Sequence, residues 1–153
     1  MKKITLILLI LLIIAFPVKA SDEALIDIVI NTVTQSYQDM PKEQQVKACY
    51  DYLIDNVEYD YDYNKTSYTS YGALITGKAV CQGYSLALYE MLQHLDITSN
   101  VVLGHADGIS HSWNTVMLNG FFFIDVTWND TMNTEKYYMV KNLQNHYFMF
   151  FLY

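Results

Sequence analysis

From Leu25 onward, apolar residues fall three and four apart. Leu25, Ile26, Val29, Val33 and Tyr37 predict a first helix, and Ser21 followed by Asp22 and Glu23 supplies a capping hydroxyl and acids for its first turn. Val46, Cys49, Tyr50, Leu53 and Val57 predict a second, with Pro41 suited to its first position. Tyr59, Tyr61 and Tyr63 alternate with Asp60, Asp62 and Asn64, the pattern of an extended segment, and Gly72 and Gly77 bracket a turn-rich stretch. A third helix is predicted from about Cys81 to Leu95. Its buried arc comprises Cys81, Tyr84, Ala87, Leu88, Met91, Leu92 and Leu95, opposite Gln82, Glu90 and Gln93. After Asp96 the period shortens to two. Val101 to Leu103, Ser112 to Leu118 and Phe121 to Trp128 predict strands, with Tyr137 to Val140 as a further one. Helices first and an antiparallel sheet after define an α+β domain.

The first twenty residues follow another rule. Met1-Lys2-Lys3 is positively charged, Ile4 to Phe16 is apolar apart from Thr5, and Val18-Lys19-Ala20 flanks a cleavage point, the layout of a secretory signal peptide cut after Ala20. An uncleaved N-terminal anchor is the alternative, although the apolar run falls short of the roughly 20 residues of a membrane span. Cleavage leaves residues 21–153 as a single exported domain with no membrane span. The formal charge of −7 becomes more acidic once Lys2, Lys3 and Lys19 leave, and the chain has no Arg, so it lacks the basic surface that nucleic acid requires. Fourteen tyrosines and seven phenylalanines predict an aromatic core and an aromatic-lined groove. Nothing in the pattern speaks to oligomeric state.

The third helix raises a chemical question, because a cysteine stands at its N-terminal tip. Cys81 is an inert core thiol, half of a disulfide with Cys49, or a nucleophile. A free thiol, with a pKa of about 8.5, is a weak nucleophile at neutral pH; a helix N-terminus and a nearby imidazolium both favour thiolate. The histidine can then protonate a leaving amine, provided a carboxylate or amide orients it. The segment "HSWNTVMLNGFFFIDVTW" carries both groups, His111 and Asp125. Asp125 stands between Ile124 and Val126 in a nearly uncharged strand, where a carboxylate is costly without a partner.

The segments "GKAVCQGYSLALYEML", "HSWNTVMLNGFFFIDVTWND" and "YYMV", with "NVEYDYDY" upstream, resemble the core domain of the bacterial transglutaminase-like superfamily from about Pro41 to Lys141. The resemblance implies a papain-like fold, with the catalytic helix packed on an antiparallel sheet. It implies Cys81 as nucleophile, His111 as general base and acid, and Asp125 as the residue that orients His111. The activity implied is cysteine-dependent acyl transfer at amide bonds of proteins or peptides, cell-envelope proteins among them, by a peptidase, deamidase or crosslinking transglutaminase. No cofactor or metal is implied. The alternative function is a non-catalytic surface module that keeps the fold to bind peptide or glycan strands. Ser112 stands where the family often has Ala, and no calcium loop is visible. Asp60, Asp62 and Asn64 begin like one, but Lys65 and Tyr71 occupy the positions of its Gly and Glu.

Supporting positions follow. Trp113, Trp128, Tyr59 and Gln82 are candidates for the groove and its walls, the Cys81 backbone N–H is a first oxyanion donor, and a tyrosine from Tyr59 to Tyr63 is a candidate second. His94 suits a helix C-terminus, His105 lies in the loop "GHADGISH", and His146 carries no signal. The terminal "YFMFFLY" reads as a buried last strand, a partner surface or a shortened end. Parity constrains the hairpin. A two-residue turn at Asn119-Gly120 would send His111 and Asp125 to opposite faces. A three-residue loop of Leu118, Asn119 and Gly120, pairing Met117 with Phe121, puts them on one face, with Trp113 opposite Asp125, His111 opposite Thr127 and Gly120 at positive φ.

Overall fold

Ser21 begins the part of the chain that the computed structural model describes, residues 21–153; the predicted export segment lies outside the described residues. Ser21 Oγ accepts the Ala24 N–H at 3.2 Å, opening α1 (Asp22–Thr34) as its sequence predicts. A short turn of 3-10 helix (Gln35–Tyr37) leads to α2 (Lys42–Asn56), which Pro41 precedes rather than begins. The Pro41 carbonyl takes the Gln44 and Gln45 N–H groups. Two residues of β1 (Glu58–Tyr59) pair in parallel with β2 (Lys78–Ala79). The predicted extended run therefore ends at Tyr59: Asp60 turns the chain by accepting the N–H groups of Asp62 and Asn64 and the Ser67 hydroxyl. Those bonds, the Ser67 hydroxyl first, hold its carboxyl at about 2. Gly77, at φ 68, closes the helical turn Gly72–Thr76 and returns the chain to β2.

Helix α3 (Cys81–His94) is the axis of the core. Tyr84, Ala87, Leu88, Met91, Leu92 and Leu95 are all buried, as the arc of the sequence predicts. They pack between α1 and α2 on one side and the sheet residues Val116 and Ile124 on the other. The sheet runs β5-β4-β3-β6, formed by β3 (Ser99–Ala106), β4 (Ile109–Met117), β5 (Phe121–Ile124) and β6 (His146–Phe151), antiparallel throughout. Among the described residues no helix is long and apolar enough to cross a membrane.

Both hairpins depart from expectation in an informative way. The predicted loop around His105 is the end of β3, and the tight two-residue turn falls at Asp107-Gly108, with φ 48 and 80. That is the turn whose twist matches antiparallel strands. At the second hairpin Met117 pairs with Phe121 and Asn114 with Ile124, the register that parity demands. Gly120, however, does not take positive φ; the loop closes through the Leu118 N–H on the Gly120 carbonyl at 3.0 Å. Strand β5 stops at Ile124, because Asp125 caps a helix, α4 (Val126–Thr131), where the sequence predicts continued strand. Trp113 and His111 consequently have no strand partners in Asp125 and Thr127. Tyr137 to Val140 contributes only an isolated bridge, Phe123 with Val140.

The tail does form a strand, but not a buried one: β6 is an edge strand, and Tyr147 through Phe151 stay about half exposed. Its register on β3 shifts between Leu103 and Gly104. A Cβ at Gly104 would fall on the Tyr147 carbonyl oxygen and within 2.6 Å of the Trp113 ring, so this contact requires glycine. Replacing Gly104 by Ala is expected to cost about 1–3 kcal/mol of stability and to loosen β6. Urea denaturation and amide exchange of Tyr147 and Phe148 measure the two effects.

Candidate active site

The chain delivers Cys81 to the tip of α3 from an extended Val80, whose N–H is held by the Ser67 carbonyl at 2.9 Å. No side chain caps this helix, which leaves first-turn N–H groups facing outward beside a half-buried, free thiol. Gly83 allows the first turn to press against the Ser67 segment, since a Cβ there would meet the Ser67 carbonyl and the Ala79 methyl. On the opposite side the buried Asn114 amide of β4 donates to the Ser85 carbonyl at 2.9 Å, pinning the same turn to the sheet. The Tyr84 hydroxyl bonds the Val57 carbonyl and the Asp130 carboxylate, tying α3 to α2 and α4.

His111, near the start of β4, lies against this tip with its side chain 8% exposed. Its Nε2 is 2.8 Å from Asp125 Oδ2, and the ring lines the same cavity as the Cys81 thiol. Burial disfavours charge on the ring, but the hydrogen bond to Asp125 and the neighbouring Cys81 sulfur outweigh it and hold the imidazolium up to about 9. Asp125 is fully buried. Burial alone would raise its carboxyl, yet the bonds from His111 and His146, with the Trp128 N–H on Oδ1 at 3.0 Å, bring it below the ordinary value. His146 Nε2 meets the same Oδ2 at 3.0 Å.

His111, Asp125 and His146 thus bring three metal-capable atoms within 4.8 Å of one another. Their N···O distances are those of charge-assisted hydrogen bonds, and a proton on each ring accounts for them. A cation would have to displace both.

The thiol and His111 open on a cavity of about 410 Å³ whose walls include Tyr59, Tyr61, Ile109 and Trp128. A larger cleft of about 810 Å³, bordered by Glu58, Asp62 and Asp130, contains neither Cys81 nor His111. The smaller cavity is therefore the one that holds the thiol and the imidazole. Tyr59 and Trp128 line it, as anticipated from the sequence; Trp113 and Gln82 do not. Trp113 is buried behind His111, at 6.0 Å between ring centres, and Gln82 is half-buried in the first turn of α3. Cys49 is buried and free, its thiol pushed up to about 12 by burial, so no bridge joins it to Cys81. His146 escaped the sequence reading because nothing local marks it. Its position depends on β6 docking on β3, with Asn145 at φ 61 turning the chain into the strand.

The fold, a helix tip set against an antiparallel sheet, agrees with comparison to known proteins. The sequence model of the transglutaminase-like superfamily matches residues 30–128, and the chain belongs to that superfamily. A solved structure of a TGase superposes with a TM-score of 0.61 at 21% identity, covering 72% of this chain and 34% of that one. A candidate cysteine protease from Cytophaga hutchinsonii superposes with a TM-score of 0.61 at 16% identity, covering 87% and 43%. The chain spans less than half the length of either, and the likeness is one of fold. No curated protein matches the sequence.

The His111 shift makes stability depend on pH in a definite direction. A folded-state value near 9, above the ordinary 6.5, means that the folded form binds this proton more tightly. The resulting stabilisation is complete below about pH 6.5 and is lost as pH rises through about 9. The melting temperature is expected to fall across that window. Asp125→Asn should flatten the fall and bring the His111 ring titration, followed by NMR, back toward 6.5.

Proposed function

We propose that the chain is an exported thiol enzyme of acyl transfer, acting on amide bonds of proteins or peptides. The carrying observation is the His111 ring, bonded to Asp125, facing the same aromatic-walled cavity as the Cys81 thiol. In this reading His111 accepts the Cys81 proton, and Sγ attacks the amide carbonyl carbon. The tetrahedral intermediate collapses as His111 passes its proton to the departing amine, and a thioester remains. Water or a second amine then attacks the thioester with His111 as base, releasing acid or new amide and restoring the thiol. Asp125 holds the ring through Nε2–H, which leaves Nδ1 as the nitrogen that exchanges its proton with the thiol and the leaving amine.

The developing oxyanion needs donors fixed beforehand. The Cys81 backbone N–H at the uncapped tip of α3 is the first. The Tyr59 hydroxyl is the second: burial foremost, then the neighbouring Cys81 sulfur, pushes it up to about 12, so it keeps its proton at any working pH. The walls of Tyr59, Tyr61, Ile109 and Trp128 favour an apolar stretch of peptide beside the reacting amide. Export rests on Met1 to Ala20, and it places the substrates among cell-envelope or secreted proteins.

Incubating envelope proteins with a tagged primary amine tests the reading. Wild-type protein is expected to attach the tag to acyl donors, or, where water is the acceptor, to yield cleaved or deamidated peptides by mass spectrometry. Cys81→Ala and His111→Ala should each reduce turnover by about 10⁴ or more, since such groups act as a unit. Full turnover by Cys81→Ala would sink the thiol mechanism.

A further inference from the structure

His146 lies beyond the stretch that the family shares, which ends at residue 128. Its side chain is nevertheless only 2% exposed, on an edge strand whose other side chains are about half exposed. The ring is enclosed by Trp128, Trp113 and Tyr137, with centres 4.6, 4.9 and 6.1 Å away. Nδ1 faces the Gln144 carbonyl at 2.8 Å and Nε2 faces Asp125 Oδ2 at 3.0 Å. Both partners only accept hydrogen bonds, and the carboxylate is the stronger acceptor, so the Nε2–H is directed there. The titratable groups around the ring are Asp125 at the head of α4, His111 on β4 and Tyr137 in the segment that follows α4. His146 is not among the residues lining the cavity beside Cys81.

We propose that His146 is a positioning residue: by donating to the same oxygen as His111, it fixes the Asp125 carboxylate and divides its charge between two imidazoles. The assignment rests on the reading of Cys81, His111 and Asp125 as the reacting set. The physical reason lies in the count of donors. With His146 present, Oδ2 takes two N–H groups and Oδ1 takes one from Trp128. Without it, the undivided charge on Oδ2 grips His111 more tightly, and the carboxylate is held by two N–H donors instead of three. His111 then keeps its proton to higher pH and yields it less readily to a leaving amine. Binding in the cavity is untouched.

Two variants separate donation from packing. His146→Phe keeps an aromatic ring and removes the donor, whereas His146→Gln places an amide N–H where Nε2 stood. Expected for His146→Phe are a His111 ring titration displaced upward by about half a unit or more and kcat lowered by about tenfold, with KM within about twofold. His146→Gln should return both toward wild type. An unshifted titration and unchanged kcat in His146→Phe overturn the proposal. So does an equal loss in both variants with the titration unmoved, which would mean packing alone. Should His146→Phe not fold, the ring-nitrogen shifts of wild-type His146 decide the matter: Nε2 protonated at neutral pH supports donation, and an unprotonated Nε2 refutes it. The ring titration needs no substrate. A Cys81→Ala variant that retains turnover therefore condemns the mechanism, whereas an inert Cys81→Ala beside an unaltered His146→Phe condemns only the role of His146.

Discussion

A fully buried carboxylate is the constraint around which this structure is arranged. An ionised Asp125 without partners would be expensive by several kcal/mol in a low-dielectric interior. It is retained because three donors reach it from three elements: the Trp128 N–H inside α4, the His111 ring from β4 and the His146 ring from β6. Each donor places a demand on the chain. The strand must stop at Ile124 so that Asp125 can cap a helix, β4 must present His111 at that point, and β6 must lie against β3 closely enough for His146 to arrive. Gly104 serves the last demand, since any side chain there would collide with Tyr147 and Trp113.

The second half of the site is a rigid presentation of the thiol. One face of helix α3 is buried along its length, and its N-terminal part is pinned by Asn114 on the sheet side and by the close approach of Gly83 to the Ser67 segment. That segment is organised in turn by Asp60, whose carboxylate gathers backbone and hydroxyl donors. In the proposed reaction, a thiol held by packing on a helix tip loses little freedom when substrate binds, and the uncapped N–H groups beside it are oriented before any charge develops. The superfamily match spans Cys81, His111 and Asp125 but not β6, so the two halves of the site differ in their relation to the shared fold.

Much of this was legible along the chain. The buried arc of α3, the free thiol at its tip, the register of the second hairpin and the pairing of His111 with Asp125 all follow from periodicity, parity and the cost of a lone buried charge. These are local properties, or properties of one pair of neighbouring strands. The tight turn inside the expected loop around His105 is also local in origin. "NG" and "DG" carry the same turn preference, and only the pairing of Ala106 with Ile109 gave the tight turn to Asp107-Gly108. The strand continued past Asp125 on paper because Val126, Thr127 and Trp128 favour strands, whereas an aspartate whose side chain takes the N–H three residues on favours a helix start.

What the sequence by itself determined, then, is the α+β class, the helix that carries Cys81 at its tip and the identity of three chemically matched residues, because each follows from spacing within one or two elements. Tertiary structure alone decided that Tyr59 rather than Trp113 would wall the cavity, and that the apolar tail would form an exposed edge strand. It alone brought His146 to the buried carboxylate. That contact joins residues 21 positions apart through a strand whose own pattern is uniformly apolar, and no periodicity can encode a partner chosen by the docking of one sheet edge on another.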